Sequence, residues 1–418
     1  MKPKILTTLR GYRRADFTAD AVAGVTVAMV AIPLSLAIAI ASGVPPGAGL
    51  VTAIVAGFLI SALGGSRVQI GGPTGAFIVV VAGVAAAHGQ DGLVLATLLA
   101  GMILVAAGLM RAGGLVEYVP EPVINGFTIG IAIIIAASQL QDLFGMQVEA
   151  PAEFIPKIAA LWQARATINP ASLGIGVLTM VLIVGLRRAW PRFPGLVVAV
   201  GATSALALGL DLPVDTIQSR FGALPDRLPM PALPDISYEK IREVLPSAFV
   251  IAFLAGVESL LSALVADRMI GGQHRPNAEV LAQGWANIGS ALFGGLPATG
   301  AIARTATNVR AGGRTPVAGI VHALTVLAVM MAAAPLAGQL AMPALAGLLM
   351  LTAWNMSEPH KWRGYMSARL SDRVLLVMTL LLTVLADLTI AIGVGVFAGL
   401  ALRLARRDVP SDWDAPER

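Results

Sequence analysis

The sequence predicts an all-α polytopic membrane protein, and its composition is the first reason. Of the 418 residues, 56% are hydrophobic and only 13% are charged, against about 25% charged residues in an ordinary soluble domain. The mean hydropathy is +0.80. A soluble fold has too little interior to hide that much apolar surface, so most of the chain must lie in lipid.

The second reason is a series of apolar segments long enough to be helices, about fourteen in all. The first set covers residues 18–41, 47–63, 74–90, 93–111, 121–144, 171–187 and 195–210. The second set covers residues 245–266, 279–293, 300–311, 315–334, 341–356, 373–387 and 388–406. Several segments are shorter than the roughly 20 residues that a full crossing needs, and these include the third segment of each set.

The third reason is the distribution of basic residues between the segments. With the N-terminus inside, every even-numbered segment is followed by basic residues, as the positive-inside rule requires. These residues are Arg67, Arg111, Arg187, Arg188, Arg192, Arg268, Arg275, Arg310, Arg314, Lys361, Arg363, Arg369, Arg373, Arg403, Arg406 and Arg407. The pattern predicts that residues 1–17 and the tail 407–418 are both cytoplasmic.

One long polar connection divides the chain. Residues 211–246 carry six acidic and four basic side chains, and we expect residues 211–244 to lie on the extracytoplasmic side. They separate a first repeat, residues 18–210, from a second repeat, residues 245–406. Because each half has about seven segments, an odd number, the second half is inverted relative to the first. Inverted repeats are common in secondary transporters.

Two similar strings open the third segment of each half. These are "GGPTGAF" at residues 71–77 and "LPATGAI" at residues 296–302. Broken helices at matching places of an inverted repeat should meet near the bilayer midplane, each pointing free N–H groups at the same spot. Free N–H groups and the helix dipole together favour an anion. The alternative is that both strings are ordinary loops outside the membrane.

Glu258 lies in the middle of the eighth segment, in "FLAGVESLLSALVA". A carboxylate at that depth is costly unless it is paired, hydrated or protonated. We interpret it as a coupling group for a proton or a sodium ion, with Ser262 one helical turn further on. The alternative is a structural glutamate that is paired within the bundle.

Three further polar residues stand in or beside apolar segments. Arg304, just inside the second of these two broken helices, could attract an anion directly or pair with Glu258. His322 is expected to be a packed, hydrogen-bonded histidine, and Asp387 a turn residue between the last two segments.

Several classes of function find no support in the sequence. The chain has no cysteine, which excludes disulfides, thiolate metal sites and cysteine nucleophiles. No catalytic or phosphate-loop motif is present, and the sparse aromatic residues do not alternate with basic ones as in nucleic-acid binders. We therefore expect no enzyme activity, no cofactor, no metal and no nucleic-acid partner.

Long stretches of the chain resemble the SulP anion permeases, the bacterial relatives of solute carrier family 26. In the first half the resemblance lies in "AIPLSLAIAIASGVPPGAGLVTAIVAGFLISALGGSRVQIGGPTGAF". In the second half it lies in "GVESLLSALVADRM", "NAEVLAQGWANIGSALFGGLPATGAIARTATNVRAGGRTPVAG" and "HALTVL". It implies a seven-plus-seven inverted repeat like that of uracil permeases, with a core domain (segments one to four and eight to eleven) and a gate domain formed by the rest.

The resemblance also implies which residues contact the substrate. It points to Pro73, Thr74 and Gly75 on the third segment and to Ile302, Ala303 and Arg304 on the tenth. On the eighth segment it points to Glu258 and Ser262, and on the first to Leu34 and Ile38. It further implies a multi-pass protein of the bacterial inner membrane that can form homodimers.

Three departures from the family pattern affect the expected function. Many relatives have glutamine where Leu34 follows Pro33, and leucine there resembles the bicarbonate-transporting branch. That branch is sodium-coupled and has aspartate at the position of Glu258, whereas glutamate resembles proton-coupled members. Family members also usually continue into a cytoplasmic STAS domain, which we expect to be absent here.

We therefore expect a secondary active transporter that works by alternating access, with proton symport of a small dicarboxylate or bicarbonate, and sulfate next. The alternatives are a sodium-coupled bicarbonate transporter or an uncoupled anion channel. A membrane-embedded enzyme or scaffold would need catalytic pairs or an interaction domain, and the sequence shows neither.

Overall fold

The computed structural model describes residues 2–114, 120–148, 150–151, 153–190, 194–386 and, except for 392 and 396, residues 390–399. Its helices in the first half are α1 (Ile5–Thr8), α2 (Arg14–Ala41), α3 (Pro46–Leu63), α4 (Ile78–Leu109), α5 (Glu121–Phe144), α6 (Phe154–Gln163), α7 (Pro170–Ala189) and α8 (Gly195–Gly209). Those after it are α9 (Ile217–Phe221), α10 (Tyr238–Ile270), α11 (Pro276–Leu292), α12 (Ile302–Arg310), α13 (Val317–Gly338), α14 (Met342–Met356), α15 (Trp362–Ser367) and α16 (Leu370–Leu385).

The protein is a multi-pass membrane protein, and the predicted all-α class is confirmed. Seven of the described helices are long and apolar enough to cross a membrane, namely α2, α3, α4 with the turn before it, α5, α7, α10 and α13. Shorter helices α8, α11, α12, α14 and α16 stand where the remaining apolar segments were predicted. The last segment, residues 388–406, lies mostly outside the described residues, as do Asp387 and the tail.

Segments 74–90 and 93–111 together form α4, and they meet at a kink where the backbone of Gly89 is not helical (φ 68°). One predicted boundary differs from the structure. Helix α10 begins at Tyr238, earlier than residue 245, because the hydroxyl of Ser237 caps its first turn by accepting from the Lys240 N–H at 3.2 Å. The apolar pattern missed this start because the first turns of α10 are polar.

The packing follows the inverted repeat. Helix α2 packs against α13. Their counterparts in the other repeat, α10 and α4, pack against each other in the same way. Likewise α3 packs against α13 while α11 packs against α4. We call α2, α3, α4, α10, α11, α12 and α13 the core group. A second set, in which α5 contacts α14 and α16 and α7 contacts α8 and α14, is the gate group.

Hydrogen bonds connect the start of α2 and the residues before it to another part of the core group. Buried Asp20 accepts hydrogen bonds from the Tyr12 hydroxyl at 3.0 Å and from the Arg314 and Thr315 N–H groups at 2.6 and 3.0 Å. Burial, together with the bond to Asp20, raises the pKa of the Tyr12 hydroxyl to about 12, so it stays a donor at neutral pH. The N-terminal end of α2 is thereby held to the loop before α13.

Candidate anion site

Two short strands meet inside the core group at the predicted breaks. Strand β1 (Gly71–Gly72) pairs antiparallel with β2 (Thr299–Gly300), Gly71 opposite Gly300 and Gly72 opposite Thr299. The Ala301 N–H extends the pairing by donating to the Ile70 carbonyl at 2.8 Å. All four strand residues are buried. The two strings therefore do not form separate surface loops, because they pair with each other across the repeat.

A helix starts directly after each strand. A 3-10 turn, Gly75–Phe77, leads into α4 on one side, and α12 starts at Ile302 on the other. The residues before these starts, Thr74 and Ala301, have extended backbones, and neither caps its helix with a side chain. The first N–H groups of a helix have no partner within it. Two uncapped helix N-termini are thus brought together at the paired strands.

Part of this arrangement is open. Ile302 is 44% exposed, Ala303 is exposed, and Thr74 is half-buried, whereas Pro73 and Gly75 are buried. A ligand can therefore approach the start of α12 and the hydroxyl of Thr74 from one side. The strand pair closes the other side.

Glu258 lies beside Thr74. The Thr74 hydroxyl donates to Oε2 of Glu258 at 3.0 Å, and the glutamate is half-buried. Among the described residues no cation lies within ion-pair distance of this carboxyl group. The expectation that Glu258 could be paired with Arg304 is not met. Its partner is a neutral hydroxyl on the third segment, so the carboxyl group remains able to take up a proton or a cation.

Ser262 bonds a residue of α12. It is fully buried, and its hydroxyl lies 3.2 Å from the hydroxyl oxygen of Thr305 on α12. The Thr305 hydroxyl also accepts from the Ile70 N–H at 3.1 Å. Ser262 therefore connects α10 with α12 and with the entry to β1, one turn away from the carboxyl group of Glu258.

Arg304 is buried behind the strands. Its side chain is 1% exposed, and Nη2 donates to the hydroxyl of Ser35 on α2 at 3.1 Å. A methyl group at Gly72 would lie 2.3 Å from Nη1, so the guanidinium rests on the backbone of β1. Nε and Nη1 have no hydrogen-bond partner in the described part of the chain. A positive charge that no carboxylate of the described residues neutralises thus lies directly behind the strand pair.

The predicted residues of the first segment, Leu34 and Ile38, lie on a helix that borders the site. Leu34 is half-buried and Ile38 is 2% exposed, on a helix that contacts α12. Ser35, between them in sequence, is the residue that holds Arg304. Helix α2 therefore borders the site, with Ser35 as its polar contact.

A buried network next to the site was missed by the sequence analysis. Glu279 on α11 is completely buried, and Oε2 accepts from the N–H groups of Gly65 and Ser66 at 2.8 and 3.1 Å. Oε1 accepts from the hydroxyl of Ser259 at 2.9 Å and the amide of Gln283 at 2.8 Å. Because Ser259 directly follows Glu258, the network supports the helix that carries the candidate coupling group.

A pattern in the sequence could have revealed this network. Glu279, Gln283, Asn287 and Ser290 recur at intervals of four, four and three within an apolar segment, which places them on one face of a helix. The amide of Asn287 binds both the N–H and the carbonyl of Ala298 at 2.9 Å. This polar face of α11 thus holds the lead-ins to both strands.

His322 corrects one expectation. It is packed in the core group with no exposed surface, as predicted. Neither ring nitrogen has a hydrogen-bond partner among the described residues, so the expected hydrogen bond is wrong. Gly57 lies against the imidazole and, having no side chain, offers it no hydrogen-bond partner there.

Comparison with known proteins agrees with this architecture. A protein-family model described as the sulfate permease family matches residues 17–379. The putative sulfate transporter YvdB of Bacillus subtilis is 40% identical over 400 residues, which cover 95% of this chain and 75% of that protein. The bicarbonate transporter BicA of Synechocystis sp. is 32% identical over 397 residues, covering 93% of this chain and 70% of that protein.

Solved structures show the same fold. The transmembrane domain of a cyanobacterial bicarbonate transporter BicA superposes with a TM-score of 0.82 at 29% identity, covering 93% of this chain and 98% of that one. The murine anion transporter Slc26a9 in its inward-facing state has a TM-score of 0.86 at 19% identity, over 96% of this chain and 71% of that one. At that identity the second likeness concerns the fold alone.

Proposed function

Because the chain belongs to the sulfate permease family, we propose that it is a secondary active anion transporter that couples anion movement to protons. The observation that carries the proposal is the contact between the two repeats. The β1–β2 pair brings two uncapped helix N-termini together, and the Thr74–Glu258 hydrogen bond adjoins them.

The anion would be held by the backbone and by the field of the site. N–H groups at the start of the Gly75–Phe77 turn and of α12 would donate to it, and each helix terminus favours a negative charge by about 0.3–1 kcal/mol, more where it is partly buried. Arg304 adds a full positive charge from behind the strands without blocking the open side. In this role Arg304 attracts the anion through space.

The coupling step would take place at Glu258. When this carboxyl group is ionised, its charge opposes an anion at the adjoining helix termini. A proton removes that repulsion, so the proton and the anion bind together. Glu258 is then neutral while the loaded site moves across the membrane. The core group would move against the gate group to open the site to the other side, a cycle of alternating access.

Sodium coupling is the second candidate, and one similar protein, BicA of Synechocystis sp., is a bicarbonate transporter. A sodium site would need several oxygen ligands around Glu258. The nearest predicted ligand, Ser262, is buried and bonded to Thr305. This arrangement favours a proton over sodium. An uncoupled channel would have no use for a carboxyl group at the site.

The substrate would be a small oxyanion. Backbone N–H groups accept sulfate, bicarbonate and dicarboxylates by the same chemistry. We put bicarbonate and sulfate first, because similar proteins are named as transporters of these anions, and a small dicarboxylate after them. We also propose that the protein resides in the bacterial inner membrane with both termini cytoplasmic, and that it can form a homodimer.

The test is uptake into proteoliposomes of labelled bicarbonate, sulfate and a dicarboxylate under an imposed proton or sodium gradient. We expect a proton gradient to drive accumulation of one of them and a sodium gradient to have no effect. Glu258→Gln, which removes the titratable group, should abolish proton-driven accumulation. Glu239→Gln, an exposed glutamate at the start of the same helix, is the matched control and should leave it unchanged. Proton-driven accumulation by Glu258→Gln at the normal rate would refute the coupling role.

A further inference from the structure

Helix α6 carries an apolar face that the described part of the chain does not cover. Ile155, Ile158 and Trp162 are 64%, 38% and 69% exposed. Their spacing of three and four residues places them on one side of the helix. Leu161, at 5% exposure, points into the protein instead. The uncovered face is therefore a second apolar surface of α6, separate from the one that packs on its own chain.

The neighbouring helices place α6 at a membrane surface. It lies between α5 and α7, both long and apolar enough to cross a membrane, and it contacts α5 and α16 of the gate group. Its ten residues would span about 15 Å, half of a hydrocarbon core of about 30 Å. The helix thus cannot cross the membrane itself.

The aromatic residue on this face has a charged companion. The Arg165 guanidinium lies 5.0 Å from the centroid of the Trp162 ring. Tryptophan is enriched at the level of the lipid headgroups, and a guanidinium binds phosphate well. An apolar face that ends in a Trp–Arg pair matches the boundary between acyl chains and phosphate groups.

The second repeat has a short helix at the corresponding place. Helix α15 lies between α14 and α16 as α6 lies between α5 and α7. Here Trp354 and Met366 are 57% and 76% exposed, and the rings of Trp354 and Trp362 pack edge to face at 5.6 Å. Because the repeats are inverted, α15 belongs to the opposite membrane surface. The gate group therefore presents an exposed tryptophan at both surfaces.

We propose that the Ile155, Ile158 and Trp162 face of α6 is immersed in the headgroup–acyl boundary of the phospholipid bilayer. There α6, opposed by α15 on the other surface, holds the gate group at a fixed depth. The occupant of the face is phospholipid, because α6 joins two membrane-length helices in the chain and its apolar face ends in the Trp162–Arg165 pair, which suits the level of the lipid headgroups. The anchoring role rests on the proposed transport cycle, in which the core group moves against a stationary gate group, whereas the placement in lipid does not.

The placement can be tested directly because the chain has no cysteine. Single variants Ile155→Cys, Ile158→Cys and, as the control on the exposed polar flank of the helix about 100° from Trp162, Gln163→Cys would carry a nitroxide label in vesicles of phosphatidylcholine and phosphatidylglycerol. We expect the labels at 155 and 158 to be relaxed more by oxygen than by a water-soluble nickel chelate, and the label at 163 to show the reverse. Equal access of the nickel chelate to 158 and 163 would overturn the proposal. So would exclusion of both relaxing agents from 158, which would mean that a second protein chain covers this face.

The anchoring role has its own readout. Ile158→Glu places a charge in the lipid boundary and should lower the anion uptake rate several-fold, while Gln163→Glu should not change it. The unfolding temperature of both variants in detergent, where no bilayer is present, should match that of the parent. Ile158→Ser provides a milder change if the glutamate variant does not fold. Uptake by Ile158→Glu at the parent rate would refute the anchoring role. If the parent protein itself showed no uptake, the proposed function would be refuted, but the nitroxide result would still stand.

Discussion

At the scale of single residues, the described part of the site is organised by hydrogen bonds between charged side chains and neutral hydroxyl groups rather than by ion pairs. Thr74 is the clearest case, because its hydroxyl connects the start of the third segment to the carboxyl group of Glu258 at 3.0 Å. Arg304 is held by Ser35 and by contact with Gly72, and it has no acidic partner among the described residues. Each of these contacts can be removed singly.

Replacing Thr74 by valine keeps the shape of the side chain but removes the hydroxyl. We expect Thr74→Val to raise the KM for anion uptake by about tenfold or more, because in the proposed cycle the Thr74 hydroxyl donates to the anion once Glu258 is protonated, and a hydrogen bond to a charged group contributes about 1.5–3 kcal/mol. Thr74→Ser should restore most of the affinity. Thr128→Val is the control, because its hydroxyl bonds only the Ile124 carbonyl of its own helix. An unchanged KM for Thr74→Val in proteoliposome uptake would contradict the assignment.

Gly72→Ala tests the position of the Arg304 charge. The backbone of Gly72 has φ 151°, which side-chain-bearing residues rarely adopt, and a Cβ atom would lie 2.3 Å from Nη1. The guanidinium must move or the strand must distort, so we expect anion affinity measured by calorimetry to fall at least several-fold. Gly83→Ala, at a helical position on α4 with nothing within 4 Å, is the control. Parent-like affinity of Gly72→Ala would show that the charge is not needed where the structure places it.

At the scale of elements, α11 supports the site although it contributes no residue to it. Its polar face binds the lead-in to β1 through Glu279 and the lead-in to β2 through Asn287. Strands of two residues have too few hydrogen bonds of their own to fix their position. The register of the pair therefore depends on a helix that is packed behind it.

Glu279→Ala should be strongly destabilising for this reason. The substitution leaves the N–H groups of Gly65 and Ser66 and the hydroxyl of Ser259 without their buried acceptor, at a cost of about 1–3 kcal/mol for each unsatisfied group. We expect a clear fall in the unfolding temperature in detergent, followed by tryptophan fluorescence. Glu239→Ala, an exposed glutamate, should change the stability by no more than about 0.5 kcal/mol. A Glu279→Ala protein as stable as the parent would mean that the network does not hold the strands.

At the scale of the whole molecule, the two repeats are intertwined rather than side by side. Each half contributes helices to the core group and to the gate group, and the site forms only where the halves meet. The proposed cycle requires opposite orientations of the two halves in the membrane. The orientation rests on the distribution of basic residues.

Cysteine labelling of intact cells tests that orientation. Asp226→Cys, exposed in the long connection, should react with a membrane-impermeant maleimide added outside. Arg310→Cys, exposed at the end of α12, should react only after the cells are made permeable. The unmodified chain is the blank, because it has no cysteine. Reaction of both positions from the same side would contradict the inverted arrangement.

The apolar pattern was enough to find most of the helices, because burial in lipid demands long apolar runs and those runs are local in the chain. The two breaks and Glu258 were recognisable for the same reason, since proline, glycine and a carboxyl group stand out against an apolar background. A boundary was missed where that contrast is weak, at the polar first turns of α10.

The order of residues along the chain was enough to predict a membrane protein with two related halves, each interrupted at its third segment. Which groups meet there depends on how the helices pack. In the folded protein Gly71 pairs with Gly300, Arg304 bonds Ser35 and Ser262 bonds Thr305, while His322 has no hydrogen-bond partner among the described residues. Hydropathy reports how deeply each residue is buried, but hydrogen-bond partners far apart in the chain are chosen by the packing of whole helices.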